Sequence, residues 1–133
     1  MGYYTRVTGE INIEPPLTWQ EFKDSPFLPG SANDSTAYDV RLRADEETVD
    51  TDDGQLIRKT ASTVLPRWDD SFKAYNLIEH VQAIIDAFPG HTFSGRLDCE
   101  GEETGDLWRV VIRDGRAVKV TPQIVWPDED GVA

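Results

Sequence analysis

The longest helical pattern in the chain runs from Ser71 to Phe88, SFKAYNLIEHVQAIIDAF. Its apolar residues recur at helical spacing, which places them along one side of an α-helix. They are Leu77, Ile78, Val81, Ile84, Ile85 and Phe88. The pattern predicts a long helix that packs this side on the core. The residues from Asp69 to Ser71 are candidate N-caps, and Pro89-Gly90 marks the end of the helix.

Most other apolar positions alternate with polar ones, as they do in half-buried strands. Such strands are predicted at Tyr3–Ile13, Tyr38–Arg43, Phe93–Cys99 and Trp108–Ile112, with a less regular one at Gln55–Leu65. In the first strand, Gly9 indicates a bulge or a close approach of another backbone.

The last predicted hairpin turns at Asp114-Gly115, a pair typical of tight β-turns. The following strand carries Val118, Val120, Ile124 and Trp126. Proline cannot donate to a strand ladder, so Pro122 indicates an edge strand or a bulge.

A short helix is predicted between Leu17 and Lys23. Thr18 is its expected N-cap, and Glu21 completes a capping box three residues later. Trp19 and Phe22 give this helix, with Leu17, an apolar side.

The predicted order is β-α-β-β-α-β-β-β, which indicates an α+β fold. We expect a two-layer sandwich, in which a mainly antiparallel sheet carries one long and one short helix on one face. The first six elements match the ferredoxin-like β-α-β-β-α-β order, extended by a C-terminal hairpin. We assign residues 1–127 to a single domain and residues 128–133 to a short acidic tail.

The charge balance is strongly acidic. The 133 residues include 25 Asp and Glu against 13 Lys and Arg, a formal net charge of −12. This excess disfavours direct binding to nucleic acids and to anionic membranes, and it favours a basic protein partner. The single cysteine, Cys99, and the absence of a long apolar run near the N-terminus predict a cytoplasmic protein.

The acids cluster in three places: a run predicted as a hairpin turn, a second predicted turn and the tail. The candidate binding residues are those of the two turns: Asp45, Glu46, Glu47, Asp50, Asp52, Asp53, Asp98, Glu100, Glu102, Glu103 and Asp106. These acids serve solubility, or they present a charged surface to a basic partner or mimic nucleic-acid phosphates.

The residues typical of common catalytic sites are scarce. The sequence has no Gly-x-Ser-x-Gly nucleophile motif and no phosphate-binding glycine loop, and His80 and His91 are expected to be surface or boundary residues. The run Asp50–Gly54 departs from the calcium-loop pattern, and a zinc ligand set is lacking. We therefore predict no catalytic residues, metal or cofactor.

The opening TRVTGEINIEPPLTW and the hairpin FSGRL…GDLW resemble a family of small uncharacterised proteins from actinobacteria and their phages. The resemblance spans most of the chain and implies a cytoplasmic accessory protein of phage or mobile-element origin. It carries no known catalytic residues.

Together these observations favour a small non-enzymatic protein-interaction module that binds a basic partner. One alternative is a nucleic-acid mimic that inhibits a restriction or defence enzyme. Another is a small ligand-binding or hydrolase domain with a pocket between helices and sheet. The sequence leaves the oligomeric state open.

Overall fold

The computed structural model describes residues 2–128 as an antiparallel sheet with two helices, which confirms the predicted α+β class and element order. The elements are β1 (Thr5–Thr18), α1 (Trp19–Phe22), β2 (Val40–Thr51), β3 (Gly54–Pro66), α2 (Leu77–Ala87), β4 (Thr92–Gly101), β5 (Leu107–Arg113) and β6 (Arg116–Val120). The strand order across the sheet is β2-β3-β1-β4-β5-β6, and every neighbouring pair is antiparallel.

Strand β1 lies at the centre of the sheet, as its alternation predicts. Its inward residues are buried: Thr5, Val7, Ile11 and Ile13. Gly9 is the predicted close approach, because a Cβ built there would lie 2.7 Å from the Arg96 carbonyl oxygen of β4.

Helix α2 is shorter than its sequence pattern predicts. It begins at Leu77, with Asn76 as N-cap, so the expectation that Asp69 to Ser71 cap it is wrong. The reason is a long-range pairing: Phe72 exchanges two backbone hydrogen bonds with Thr5, at 2.8 and 3.0 Å. Phe72 is therefore bonded to the start of β1, and the helix begins only at Leu77.

The apolar stripe of α2 faces the core as predicted. Leu77, Val81, Ile84 and Phe88 are buried, and Ile78 and Ile85 are partly buried. The same cluster takes Phe22 from α1 and apolar residues from five strands, so both helices share one core with the sheet.

The predicted contact between Glu21 and the N-cap Thr18 is present in helix α1. The Glu21 side chain accepts the backbone N–H of Thr18 at 3.0 Å and the Thr18 hydroxyl at 3.1 Å. Phe22 is fully buried. Trp19, predicted to join the apolar side, is instead partly exposed.

The C-terminal strand ends earlier than predicted. Strand β6 stops at Val120, and Ile124 and Trp126 are 78% and 69% exposed. The predicted continuation past Pro122 is wrong, since that residue has no N–H for a ladder. Of the predicted acidic tail, Asp128 is exposed and residues 129–133 lie outside the described part.

Neither helix within residues 2–128 combines the length and the apolarity that a membrane crossing requires.

Candidate functional site

The first acidic cluster lies in a strand, which corrects the prediction of a hairpin turn. Residues Asp45 to Thr51 belong to β2, and only Asp52 and Asp53 form the turn to β3. The prediction failed because acidic residues are poor strand formers, whereas cross-strand pairing overrides that preference here. The two-stranded segment Asp45–Thr60 is called the arm below.

The arm projects beyond the rest of the sheet. Strand β1 ends at Thr18, which pairs with Thr60, so β3 has no β1 partner beyond this point. Pairing with β2 continues to Thr51 and Gly54. Six further residues at about 3.4 Å each give an extension of about 20 Å.

Ion pairs between the strands hold the arm. Glu47 receives two hydrogen bonds from Arg58 at 3.0 Å, and Glu46 lies 3.5 Å from the Lys59 ammonium. Such exposed pairs contribute at most about 1 kcal/mol each. The arm has six acids against two bases, a net charge of −4.

A groove with apolar walls lies at the base of the arm. It has a volume of about 670 Å³ and is lined by Thr18, Trp19, Gln20, Val49, Leu56, Ile57, Arg58, Lys59 and Thr60. Leu56 and Ile57 are 60% and 67% exposed. The Lys59 ammonium lies 4.8 Å from the centre of the Trp19 ring.

The second acidic cluster lies at the opposite end of β1. Thr5, at the start of β1, pairs with Gly101 at the end of β4, next to the turn that holds Glu102 and Glu103. The arm lies beyond Thr18, at the other end of this strand. One compact partner cannot contact both clusters unless it spans the length of β1.

Several carboxylates of the second cluster have local structural partners. Asp98 lies 2.7 Å from the Arg109 guanidinium and 3.4 Å from that of Arg96. Asp106 accepts the Tyr3 hydroxyl, whose oxygen in turn accepts the Glu103 backbone N–H at 3.0 Å. Glu100 and Glu102 are exposed. These bonds give the second cluster a role in holding the β4–β5 turn.

The two histidines lie at the boundary of the core, and each makes specific bonds. His80 Nδ1 accepts the backbone N–H of Asp39 at 3.0 Å. Burial raises the pKa of the Asp39 carboxyl, although the nearby imidazole opposes this rise. His91 contacts the Pro15 carbonyl oxygen and Glu21.

The described residues offer little for nucleophilic or metal chemistry. Burial, and secondarily Asp98, raises the pKa of the Cys99 thiol to about 12, so the reactive thiolate is scarce at neutral pH. Between residues 2 and 128, no three His, Cys, Asp or Glu side chains converge into a candidate metal site.

Sequence reasoning found the acids of the arm but missed its apolar groove. The adjacent pair Leu56-Ile57 breaks the alternation expected of a half-buried strand, and that break was the available signal. Nothing in the sequence indicated that Trp19 lines this groove, because an aromatic residue on the apolar side of a helix is normally part of the core.

Comparison with known proteins gives one result. No curated protein and no solved structure matches the chain. A model of a protein family matches residues 1–133. This match confirms the expected membership of an uncharacterised family: the chain belongs to DUF6205, a family of unknown function.

Proposed function

We propose that the protein is a non-enzymatic interaction module whose arm binds a basic, partly apolar segment of a partner protein. The observation that carries this proposal is the exposure of the adjacent residues Leu56 and Ile57 beside an acidic strand. Both residues are part of the lining of the groove at the base of the arm, together with Trp19. Their side chains point to opposite faces of the arm, because neighbouring residues of a strand alternate.

The groove supplies the apolar part of the recognition. Covering a Leu or Ile side chain fully contributes roughly 1.5–3 kcal/mol, so even partial burial of Leu56 and Ile57 favours binding. Trp19 adds a large, rigid ring of the kind that is enriched in binding hot spots.

The charge of the arm selects the partner. A net charge of −4 within sixteen residues attracts a basic segment and accelerates its encounter with the arm. Strand β2 is also an edge strand of the described sheet, and its pairing with Phe27 involves Leu42, outside the arm. A basic segment in extended conformation could add to this edge as a further strand.

A second copy of the chain fits this edge less well. Two β2 strands paired antiparallel around a twofold axis would bring the acidic segment that holds Asp45, Glu46, Glu47 and Asp50 against the same acidic segment of the second copy. Like charges opposite each other destabilise a strand pair, so these acids protect the edge against self-association.

Nucleic-acid mimicry receives less support than protein binding. Asp45, Glu46 and Glu47 each lie within 3.5 Å of a basic side chain of the protein itself, which weakens their resemblance to a row of phosphates.

A display library of random short peptides, selected on the wild-type protein at low salt, tests the proposal. We expect enrichment of peptides that combine Lys or Arg with apolar residues. The double variant Leu56→Ser/Ile57→Ser should lose these peptides. Leu107→Ser is the matched control, because Leu107 is also exposed but lies in β5, away from the groove.

Charge variants separate the two acidic clusters. Neutralising Asp50, Asp52 and Asp53 to Asn should weaken binding of the selected peptides and reduce its dependence on salt. Neutralising Glu102 and Glu103 to Gln should leave binding unchanged. If the second pair of changes abolishes binding and the first does not, the arm is the wrong site.

Three finer features complete the proposal. The order β2-β3-β1-β4, with a helix in each of the β1–β2 and β3–β4 connections, supports a ferredoxin-like two-layer core extended by β5 and β6. The lone buried thiol of Cys99 supports a reducing cytoplasm. A phage or mobile-element origin rests on the sequence resemblance alone.

A further inference from the structure

A second cavity lies at the end of the sheet opposite the arm, where β1 begins and β3 ends. Its volume is about 370 Å³, and it is lined by Tyr4, Asp39, Trp68, Asp70, Ser71, Phe72 and Lys73. Three of these residues are aromatic and two are acidic. The proposed function does not use this cavity.

Backbone hydrogen bonds fix the walls of the cavity. The paired Thr5 and Phe72 hold the segment that carries Asp70 to Lys73 against the start of β1. The Arg67 N–H donates to the Asp39 carbonyl oxygen at 2.9 Å, which joins the chain before Trp68 to the start of β2. The cavity is thus built from elements of the folded sheet.

Asp39 brings a mostly buried carboxylate to the cavity. Its side chain is only 10% exposed, and its closest titratable neighbour is His80 Nδ1 at 3.3 Å. That nitrogen accepts the Asp39 backbone N–H, so it carries no proton for the carboxylate. The Asp39 carboxyl is thus mostly buried beside a ring nitrogen that is already bonded to the backbone, and charging such a group is costly unless a cation approaches it.

Besides the acidic side chains, the cavity is lined by aromatic rings that can contact a cation. Trp68 is 39% exposed, and its ring centre lies 5.2 Å from that of Phe72. Aromatic faces attract ammonium groups, and tryptophan does so most strongly. In the described chain, Lys59 and Lys119 lie over Trp19 and Trp108, whereas no lysine lies over Trp68.

We propose that this cavity binds an organic ammonium group, held by the faces of Trp68 and Tyr4 and by the carboxylates of Asp39 and Asp70. A bound cation would supply the positive charge that Asp39 lacks. Lys73, on the lining, opposes the cation and limits the affinity.

Two sources share this chemistry: a free alkylamine and a lysine side chain of another protein. Titration with n-butylammonium, followed through the Trp68 indole N–H signal in NMR spectra, tests the shared chemistry. We expect a saturable shift. The neutral analogue n-butanol, which has a similar shape, should leave the signal unshifted.

Variants locate the site. Trp68→Leu removes the reporter, so its affinity is measured by calorimetry, and we expect a loss of roughly 2- to 30-fold. Asp70→Asn should weaken binding up to about fivefold, as expected for an exposed charge. Lys73→Met should tighten it.

The tripeptide Gly-Lys-Gly with blocked ends distinguishes the two sources. Tighter binding of the peptide than of n-butylammonium assigns the cavity to a partner's lysine, and the reverse order assigns it to a free amine. The absence of a saturable shift with both probes, or an equal effect of n-butanol, overturns the proposal. The arm variants Leu56→Ser and Ile57→Ser should not change either result.

Discussion

His91, between α2 and β4, contacts Glu21 of helix α1, with His91 Nε2 only 2.7 Å from Glu21 Oε2. The other ring nitrogen, Nδ1, lies 2.6 Å from the Pro15 carbonyl oxygen. Both neighbours accept hydrogen bonds, so both ring nitrogens must donate, which requires the charged imidazolium. The contact fastens the start of α1 to the turn between α2 and β4.

The first prediction follows from this protonation. Burial opposes the charge of His91, but the bonds to Pro15 and Glu21 outweigh it and raise the pKa above the ordinary value of 6.5. The stabilisation is therefore complete below pH 6.5 and is lost as the pH rises through the folded-state pKa. The variant His91→Phe should lose about 1–3 kcal/mol of unfolding free energy at pH 6.

Urea unfolding across a pH series measures this effect. The difference between wild type and His91→Phe should shrink as the pH rises above the folded-state pKa. At low pH the contact is lost for a second reason, because Glu21 becomes protonated. The Thr18 N–H and His91 hold the pKa of Glu21 below its ordinary 4.5, so this loss occurs only below that value. A difference that stays constant across the series would show that the ring acts by packing alone.

The second prediction concerns Gln82 of α2, whose side chain bonds to the β5–β6 hairpin. Its side-chain oxygen accepts the Ala117 N–H at 2.8 Å, and its nitrogen donates to the Gly115 carbonyl oxygen at 3.2 Å. Gln82→Ala should cost about 1 kcal/mol and speed hydrogen exchange at the Ala117 amide. Glu79→Ala, on an exposed position of the same helix, should leave that amide unchanged.

These contacts show how far sequence patterns reach. The alternation of β1, the Thr18–Glu21 cap and the apolar stripe of α2 are local features, and each is present in the structure. The late start of helix α2 at Leu77 depends on the pairing of Phe72 with Thr5, which lie far apart in the sequence. Local periodicity carries no information about such pairings.

The candidate binding surfaces also combine features that are local in the sequence with features that depend on long-range pairing. The two acidic clusters are visible in the sequence, but their placement at opposite ends of β1 depends on strand register. The cavity beside Asp39 draws residues from the starts of β1 and β2 and from the segment after β3. The strand order brings these segments together, which composition and spacing do not specify.

The third prediction compares two isoleucines in different environments. Ile84 of α2 is fully buried, whereas Ile57 of the arm is largely exposed. Ile84→Ala should cost about 2–5 kcal/mol of unfolding free energy, and Ile57→Ala should change it by less than about 0.5 kcal/mol. Urea denaturation of both variants checks the comparison, and similar losses would contradict the assigned burial.

The fourth prediction concerns the only thiol, Cys99, which is buried and has a pKa of about 12. Iodoacetamide reacts with the thiolate, so the folded protein should resist alkylation at neutral pH. Mass spectrometry should show rapid modification only after urea is added. Complete modification of the native protein would place the thiol at an accessible surface.

The last prediction separates backbone strain from close packing at two glycines. Gly9 has a φ of +103°, and a Cβ there would lie 2.7 Å from the Arg96 carbonyl oxygen, which is fixed in the β1–β4 ladder. Gly54 has a φ of +126° but no atom within 4 Å of a built Cβ. Both changes to Ala add strain of roughly 1–3 kcal/mol, and only Gly9→Ala adds a clash with backbone. Thermal and urea unfolding should therefore show the larger loss for Gly9→Ala, because β1 and β4 must separate to admit the methyl group. Equal losses would mean that the central strands move apart at little cost, and that the tight register between β1 and β4 does not depend on this glycine.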